Sequence, residues 1–178
     1  FDREALIPAY FTIVASHVAA DVRWAENQMG RSAEPDEFEP TTWFLKALGE
    51  TQTALDLVEA ENTIHQAGRD VARLFEHYDV FVTTTTAQPP VRVGELDLRW
   101  WEEAGIKALQ KIPSKHVMDM ALKEASKSSL DATPNTQLFN QTGQPAMSLP
   151  LGSTPDGLPI GIQCVGRYGE EDVLLRLA

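Results

Sequence analysis

The chain has 178 residues, 43% hydrophobic and 23% charged, with a formal net charge of −11 and one cysteine. That length suits one ordinary domain, able to bury roughly 70% of the surface its unfolded chain exposes. The acidity excludes nucleic acid and anionic membrane as main partners, because phosphate contacts need a basic face; the lone Cys164 excludes a disulfide framework and every multi-cysteine metal site, and suits a reducing, cytoplasmic setting.

Residues 3–29 place Leu6, Tyr10, Phe11, Val14, Val18, Val22 and Ala25 at helical spacing, with Gly30 as a stop. Pro8 lies beyond a first turn, so the helix either starts there or kinks there. Residues 31–40, with Glu34, Pro35, Asp36, Glu37 and Glu39, read as a solvated acidic loop. A second helical stretch covers 41–77 and breaks near Gly49; its later part keeps Ala54, Val58, Ile64, Gly68, Val71 and Phe75 on one apolar face. Residues 78–84 switch to β-branched and aromatic side chains, a buried strand that Gln88-Pro89-Pro90 must end. A short helix is expected over 100–109, with Trp100, Trp101, Ala104 and Leu109 as its apolar side. Ser114 would cap another over 115–125, with Val117, Ala121, Leu122 and Ala125 facing inward. Apolar strands at 146–151 and 158–165 flank a turn at 153–157, and 170–177 restarts a helix with acidic residues first. Helices alternating with buried strands predict an α/β class. No unbroken run of about 18 apolar residues occurs, so no membrane-spanning segment is expected, and no basic-then-apolar signal segment opens the chain. A chain opening at Phe1 and closing at Ala178 within a helical pattern is expected to be a piece of something longer.

The chemistry-bearing residues form no complete constellation. Glu61 and His65 share a helix face, but His17, His77 and His116 supply no third ligand at metal-site spacing, so no metal or other cofactor is expected. There is no G-x-S-x-G elbow, no Ser-x-x-Lys motif and no phosphate-cradling glycine loop. Ser148, between Pro145 and Pro150, reads as structural, and Cys164 as a buried, inert thiol. The adjacent Lys127-Ser128-Ser129 reads as a polar turn, because a nucleophile and its base need a convergent geometry that neighbours in sequence do not supply. Thr83 to Thr86 satisfy strand propensity; equally, the end of such a strand is where α/β sheets hold ligands, and both readings stand.

Two motifs carry a resemblance. Phe139-Asn140-Gln141-Thr142-Gly143-Gln144-Pro145-Ala146-Met147-Ser148-Leu149-Pro150-Leu151-Gly152 comes first. Gly157-Leu158-Pro159-Ile160-Gly161-Ile162-Gln163-Cys164-Val165-Gly166-Arg167 follows, with Glu170-Glu171-Asp172-Val173-Leu174-Leu175 after it. In order and register they resemble the closing segment of the amidase signature family. Residues 79–88 resemble an upstream family strand that usually ends in Pro-Thr, here with threonine in place of the proline. Residues 31–60, especially Glu37-Phe38-Glu39-Pro40-Thr41-Thr42, resemble the branch that includes hydrolases of 6-aminohexanoate cyclic dimers. The resemblance implies part of a mixed β-sheet covered by helices on both faces, with 1–178 as the C-terminal part of a single amidase domain. It implies hydrolysis of a carboxamide through an acyl-enzyme on a Ser–cis-Ser–Lys triad in the family's N-terminal half, outside this chain. Gly143, Pro145 and Gly157 would set turns, and Thr85, Thr86 and Asn140 would edge the substrate pocket. The implied partners are a small-molecule amide, the N-terminal remainder of the same protein and, as an open alternative, a second copy in a homodimer. The chain alone is then expected to be inactive and to expose an apolar patch. The competing reading is a non-catalytic interaction or assembly subunit derived from the same fold.

Overall fold

The computed structural model describes residues 2–34, 36–95, 99, 104–106, 115–118, 120, 122 and 133–178. These fall into two compact units. A helical unit comprises residues 4–62 and 92–126; a sheet unit comprises 1–3, 63–91 and 127–178.

In the helical unit, α1 (Arg3–Met29) runs through Pro8 without interruption. Its buried residues are Leu6, Ala9, Ala15 and Val22, whereas Phe11, Val14 and Val18 are only half-buried. The closest packing therefore uses alanines that a reading weighted by side-chain size passes over. The reason is α2 (Pro40–Glu50): a Cβ on Gly49 would lie 2.1 Å from the Ala15 carbonyl oxygen, so the two helices meet backbone to backbone. Ala15, Ala47, Leu48, Met118 and Leu122 form the core there, with Phe11, Phe44 and Leu45 against it. Of the expected inward positions in 115–125, Leu122 is buried. Val117 is exposed and its neighbour Met118 takes the core position. Trp100, Trp101, Leu109, Ser114, Ala121 and Ala125 lie outside the described residues.

One membrane expectation needs correction. Glu4–Met29 is long and apolar enough to cross a bilayer by length and composition alone. The sequence shows no unbroken apolar run because Thr12, Ser16 and His17 interrupt it, yet the average passes. A core helix passes the same test, and the contact of Ala15 with Gly49 gives this one a protein partner.

Local polar contacts fix the helix starts. Pro40 occupies the first turn of α2, where its missing N–H costs nothing. Thr53 and Asp56 form a reciprocal cap at the start of α3 (Ala54–Ala72): the Thr53 N–H donates to Asp56 Oδ2 at 2.7 Å and the Asp56 N–H to Thr53 Oγ1 at 3.1 Å. The Thr53 hydroxyl also donates to Asp56 Oδ2, at 2.7 Å, and Lys115 Nζ adds a third donor to the same carboxylate at 2.6 Å. The acidic loop is held as well, since Arg31 grips Glu37 with both terminal nitrogens and the Glu34 N–H donates to Glu37 at 2.6 Å.

The sheet unit is built on β1 (Val80–Thr84), β2 (Ala146–Ser153) and β3 (Pro159–Gly166), in the order β1-β3-β2. Both ladders are antiparallel. The α/β class holds, and the parallel pairings that a mixed sheet implies are not among those described. Thr154 closes the β2–β3 hairpin by exchanging hydrogen bonds with Leu158. One sheet face is covered at one end: Val71, Phe75, Phe139 and Val165 are packed together, and the Phe81 and Phe139 rings lie 5.6 Å apart. Phe139 belongs to α4 (Pro134–Thr142), which Gly143 ends in the left-handed conformation (φ 81°). On the opposite face, Leu174 of α5 (Glu171–Leu177) packs over Gly166. Arg167 bonds to the Phe75 carbonyl and to Glu170, tying the end of β3 to the 3₁₀ turn at Arg73–Glu76.

Two expectations for this region change. The buried positions along α3 are Ala60, Ala67 and Val71; of the expected face Val71 is buried, Ile64 and Gly68 are half-buried, and Ala54 and Val58 are exposed. Strand β1 is not buried: it is an edge strand with Val82 57% exposed, because apolar composition records what a residue favours and not whether anything covers it. Leu151 is 67% exposed, and Phe81, Leu158 and Ile160 are also accessible.

Substituting Gly49→Ala forces a side chain into the Ala15 backbone, which cannot rotate away. We expect a loss of about 3 kcal/mol, the upper part of the overpacking range, measured by urea unfolding. The hydrogen bonds from Lys115 and Thr53 hold the Asp56 carboxyl at about 2, below its ordinary 3.8. The Arg31 guanidinium and the Glu34 N–H hold Glu37 at about 2, below 4.5. Both values are depressed in the folded chain, so their stabilisation is full above the ordinary values and disappears as pH falls through about 2. The thermal midpoint should drop across that window, and Asp56→Asn should flatten the dependence.

Candidate functional site

Gly161, near the start of β3, is the feature around which polar groups gather. Side chains alternate across a strand, so Gly161, Gln163 and Val165 share a face. The register places Thr83 and Ser148 on either side of Gln163, and the Thr85 N–H continues the β1 ladder by donating to the Gly161 carbonyl at 2.8 Å. Position 161 is thus flanked by residues of both neighbouring strands. A Cβ there would lie 2.7 Å from both Thr85 Oγ1 and Ser148 Oγ. With no side chain in the way, these two hydroxyls meet over the central strand at 2.6 Å.

A second network holds helix α4 to the sheet beside this pair. Asn135 Nδ2 donates to the Thr84 carbonyl at 3.0 Å and to Thr84 Oγ1 at 3.1 Å, and the buried Gln163 Nε2 donates to the Asn135 carbonyl at 3.1 Å. Gln144, also buried, accepts from Thr142 Oγ1 and donates to the Gly68 carbonyl, fixing the turn after α4. Pro150 follows Ser148 on the same strand face and is exposed, giving the site an apolar flank.

Of the residues singled out from sequence, Thr85 lies half-buried in this cluster and Thr86 follows it, exposed. Asn140 is exposed on α4, five residues beyond Asn135, and makes none of these contacts. The sequence reading missed Ser148 as a polar partner, and missed Gly161, Asn135 and Gln163. A glycine inside an apolar strand run was the available signal, since it often marks close approach. Cys164 is buried and not in a disulfide, as expected. Among the described residues no group of three or more His, Cys, Asp or Glu side chains converges as a metal site, and Glu61 and His65 are both exposed. The described lysines are committed elsewhere: Lys46 Nζ holds Glu50 at 2.7 Å and Lys115 Nζ holds Asp56 at 2.6 Å. The arrangement at Gly161 is neutral, carries hydroxyl and amide groups, and suits recognition of a polar, uncharged ligand.

Comparison with known proteins adds the lineage. A family model described as Amidase matches residues 5–175. The 6-aminohexanoate-cyclic-dimer hydrolase of Pseudomonas sp. (strain NK87) is 28% identical over 95% of this chain, which covers 32% of that protein. The lipoamidase of Enterococcus faecalis is 26% identical over 99% of this chain, covering 24% of that protein. A solved structure of 6-aminohexanoate cyclic dimer hydrolase complexed with substrate matches 99% of this chain and 34% of its own, at 28% identity and a TM-score of 0.79. The chain therefore spans about a quarter to a third of the length of these relatives. With a family model spanning nearly all of its residues, the chain belongs to the amidase family.

Proposed function

We propose that this chain is the C-terminal portion of an amide hydrolase whose nucleophile and activating lysine lie in a segment outside it. The observation that carries the reading is coverage. The chain aligns over nearly its whole length, yet with about a third of the relative that hydrolyses a 6-aminohexanoate cyclic dimer. Two further facts support it. The two described lysines, Lys46 and Lys115, each pair with a carboxylate away from the hydroxyl cluster at Gly161. The exposed Val82 and Leu151 provide apolar surface for the remainder of the domain, and burying such surface contributes roughly 25 cal/mol per Å².

In this reading a serine oxygen of the remainder attacks the amide carbonyl carbon. The C–N bond breaks as a proton passes to the leaving amine, and water then releases the acid from the acyl-enzyme. This chain's part is to complete the sheet and to form an edge of the substrate pocket with Thr85 and Thr86. Asn140, exposed on α4, is an edge residue only if the remainder closes over that helix. The proposed substrate class is an aliphatic carboxamide, linear or cyclic.

The test measures primary amine released from 6-aminohexanoate cyclic dimer by residues 1–178 alone and by the same residues joined to a triad-bearing upstream segment. The joined protein should turn over. The chain alone should remain at background, a gap on the order of 10⁶ when a hydrolase lacks its nucleophile. Comparable turnover by the chain alone would overturn the reading.

A further inference from the structure

We propose that the Thr85–Ser148 hydroxyl pair, seated over the bare backbone of Gly161, is a binding subsite for a carboxamide group. The ligand class rests on the amide-hydrolase reading above, while the site itself rests on geometry. Hydrogen-bonded pairs on neighbouring strands are ordinary sheet contacts. This pair differs, because Thr85 follows β1 and Ser148 lies in β2, with β3 between them. The two oxygens meet at 2.6 Å in the space that a side chain at 161 would occupy. Ser148 is exposed and Thr85 half-buried, so water competes for the bond. Stabilisation of the sheet is therefore a weak reason for the arrangement.

The hydrogen-bonding capacity left over is specific. One hydroxyl donates to the other, and among the described residues neither side chain makes another hydrogen bond. One proton and the remaining lone pairs are thus presented side by side. A carboxamide needs that combination: its carbonyl oxygen accepts and its N–H donates. The pair carries no charge, and Arg167, the cation at the far end of β3, is bound to the Phe75 carbonyl and Glu170. A carboxylate, with acceptors only, can use just the one proton. The glycine lets a ligand approach the strand closely, and exposed Pro150 on the same face offers contact for the ligand's alkyl portion.

The experiment titrates the 178-residue chain with hexanamide, and separately with hexanoate, while following backbone amide resonances. Saturable shifts should appear at Thr85, Ser148 and Gly161 with hexanamide and be smaller with hexanoate. Affinity should fall about three- to tenfold in Thr85→Val and in Ser148→Ala, the loss of one hydrogen bond, and be kept in Thr85→Ser. Gly161→Ala, which forces the hydroxyls apart, should abolish the shifts at Thr85 and Ser148. Three results would overturn the subsite: no hexanamide response at these positions, unchanged affinity in both hydroxyl-deleting variants, or loss in Thr85→Ser as well. Circular dichroism and melting identify any variant that fails to fold, and Thr85→Ser then decides. The two proposals separate cleanly. Hexanamide binding without hydrolysis by the joined protein removes the hydrolase reading alone. Hydrolysis unaffected by Thr85→Val and Ser148→Ala removes the subsite alone.

Discussion

The sheet unit depends on one strand. β3 pairs with β1 along one edge and with β2 along the other, so among the described residues both backbone ladders of the sheet run through it. Its two ends carry different tasks. Toward its C-terminal end, Val165 packs with Phe75 and Phe139, and Gly166 receives Leu174 from α5. Toward its start, Gly161 removes the side chain altogether and lets Thr85 and Ser148 meet. The same strand thus anchors the core at one end and opens a polar site at the other. Gln163, buried between these regions, links them by donating to the Asn135 carbonyl and so holding α4 in place.

A parallel constraint governs the helical unit, and comparing the two shows how magnitude follows from what surrounds a glycine. At Gly49 the obstacle to a Cβ is a backbone oxygen at 2.1 Å, part of a helix that would have to move as a body. At Gly161 the obstacles are hydroxyl oxygens at 2.7 Å, and a serine hydroxyl can rotate away. The first glycine is therefore a packing requirement, and the second is a condition for bringing two polar groups together. Polar contacts then fix the ends of the helices: the Thr53–Asp56 cap with Lys115, and Arg31 on Glu37, turn acidic loop residues into fixed points.

Much of the architecture was legible in the sequence. The order of most elements, the break near Gly49, the stop at Gly30, the hairpin expected as 146–151 and 158–165 and the family motif from Phe139 to Arg167 follow from periodicity, turn residues or motif spacing, whereas helix α4 (Pro134–Thr142) was not expected. The buried faces were less legible. Val58 and Val117 were expected inside, but Ala60 and Met118 are the residues buried there. Closely packed helices use small side chains such as Ala60, which a hydrophobicity pattern passes over, whereas burial of Met118 in place of Val117 is a shift of one position along the helix. Strand β1 was expected to be buried because it is apolar, yet an edge position leaves Val82 open to solvent. The Thr85–Ser148 contact was hidden for another reason. It joins positions 63 residues apart through two ladders, and only the fold supplies that register. Thr85 was singled out from its place at a strand end, whereas Ser148 read as structural between its prolines.

These features fit a chain that supplies sheet, helices and a polar pocket edge to an amide hydrolase while the reactive groups come from elsewhere. Its scaffold is dense with specific contacts, and its described lysines are occupied by carboxylates. The most direct test is to find where a serine-reactive fluorophosphonate attaches. The chain joined to a triad-bearing upstream segment, as the proposal requires, is treated with the probe, digested and mapped by mass spectrometry. The account predicts a single adduct on a serine outside residues 1–178, and none on the chain alone. A stoichiometric adduct on a serine within residues 1–178 would contradict it.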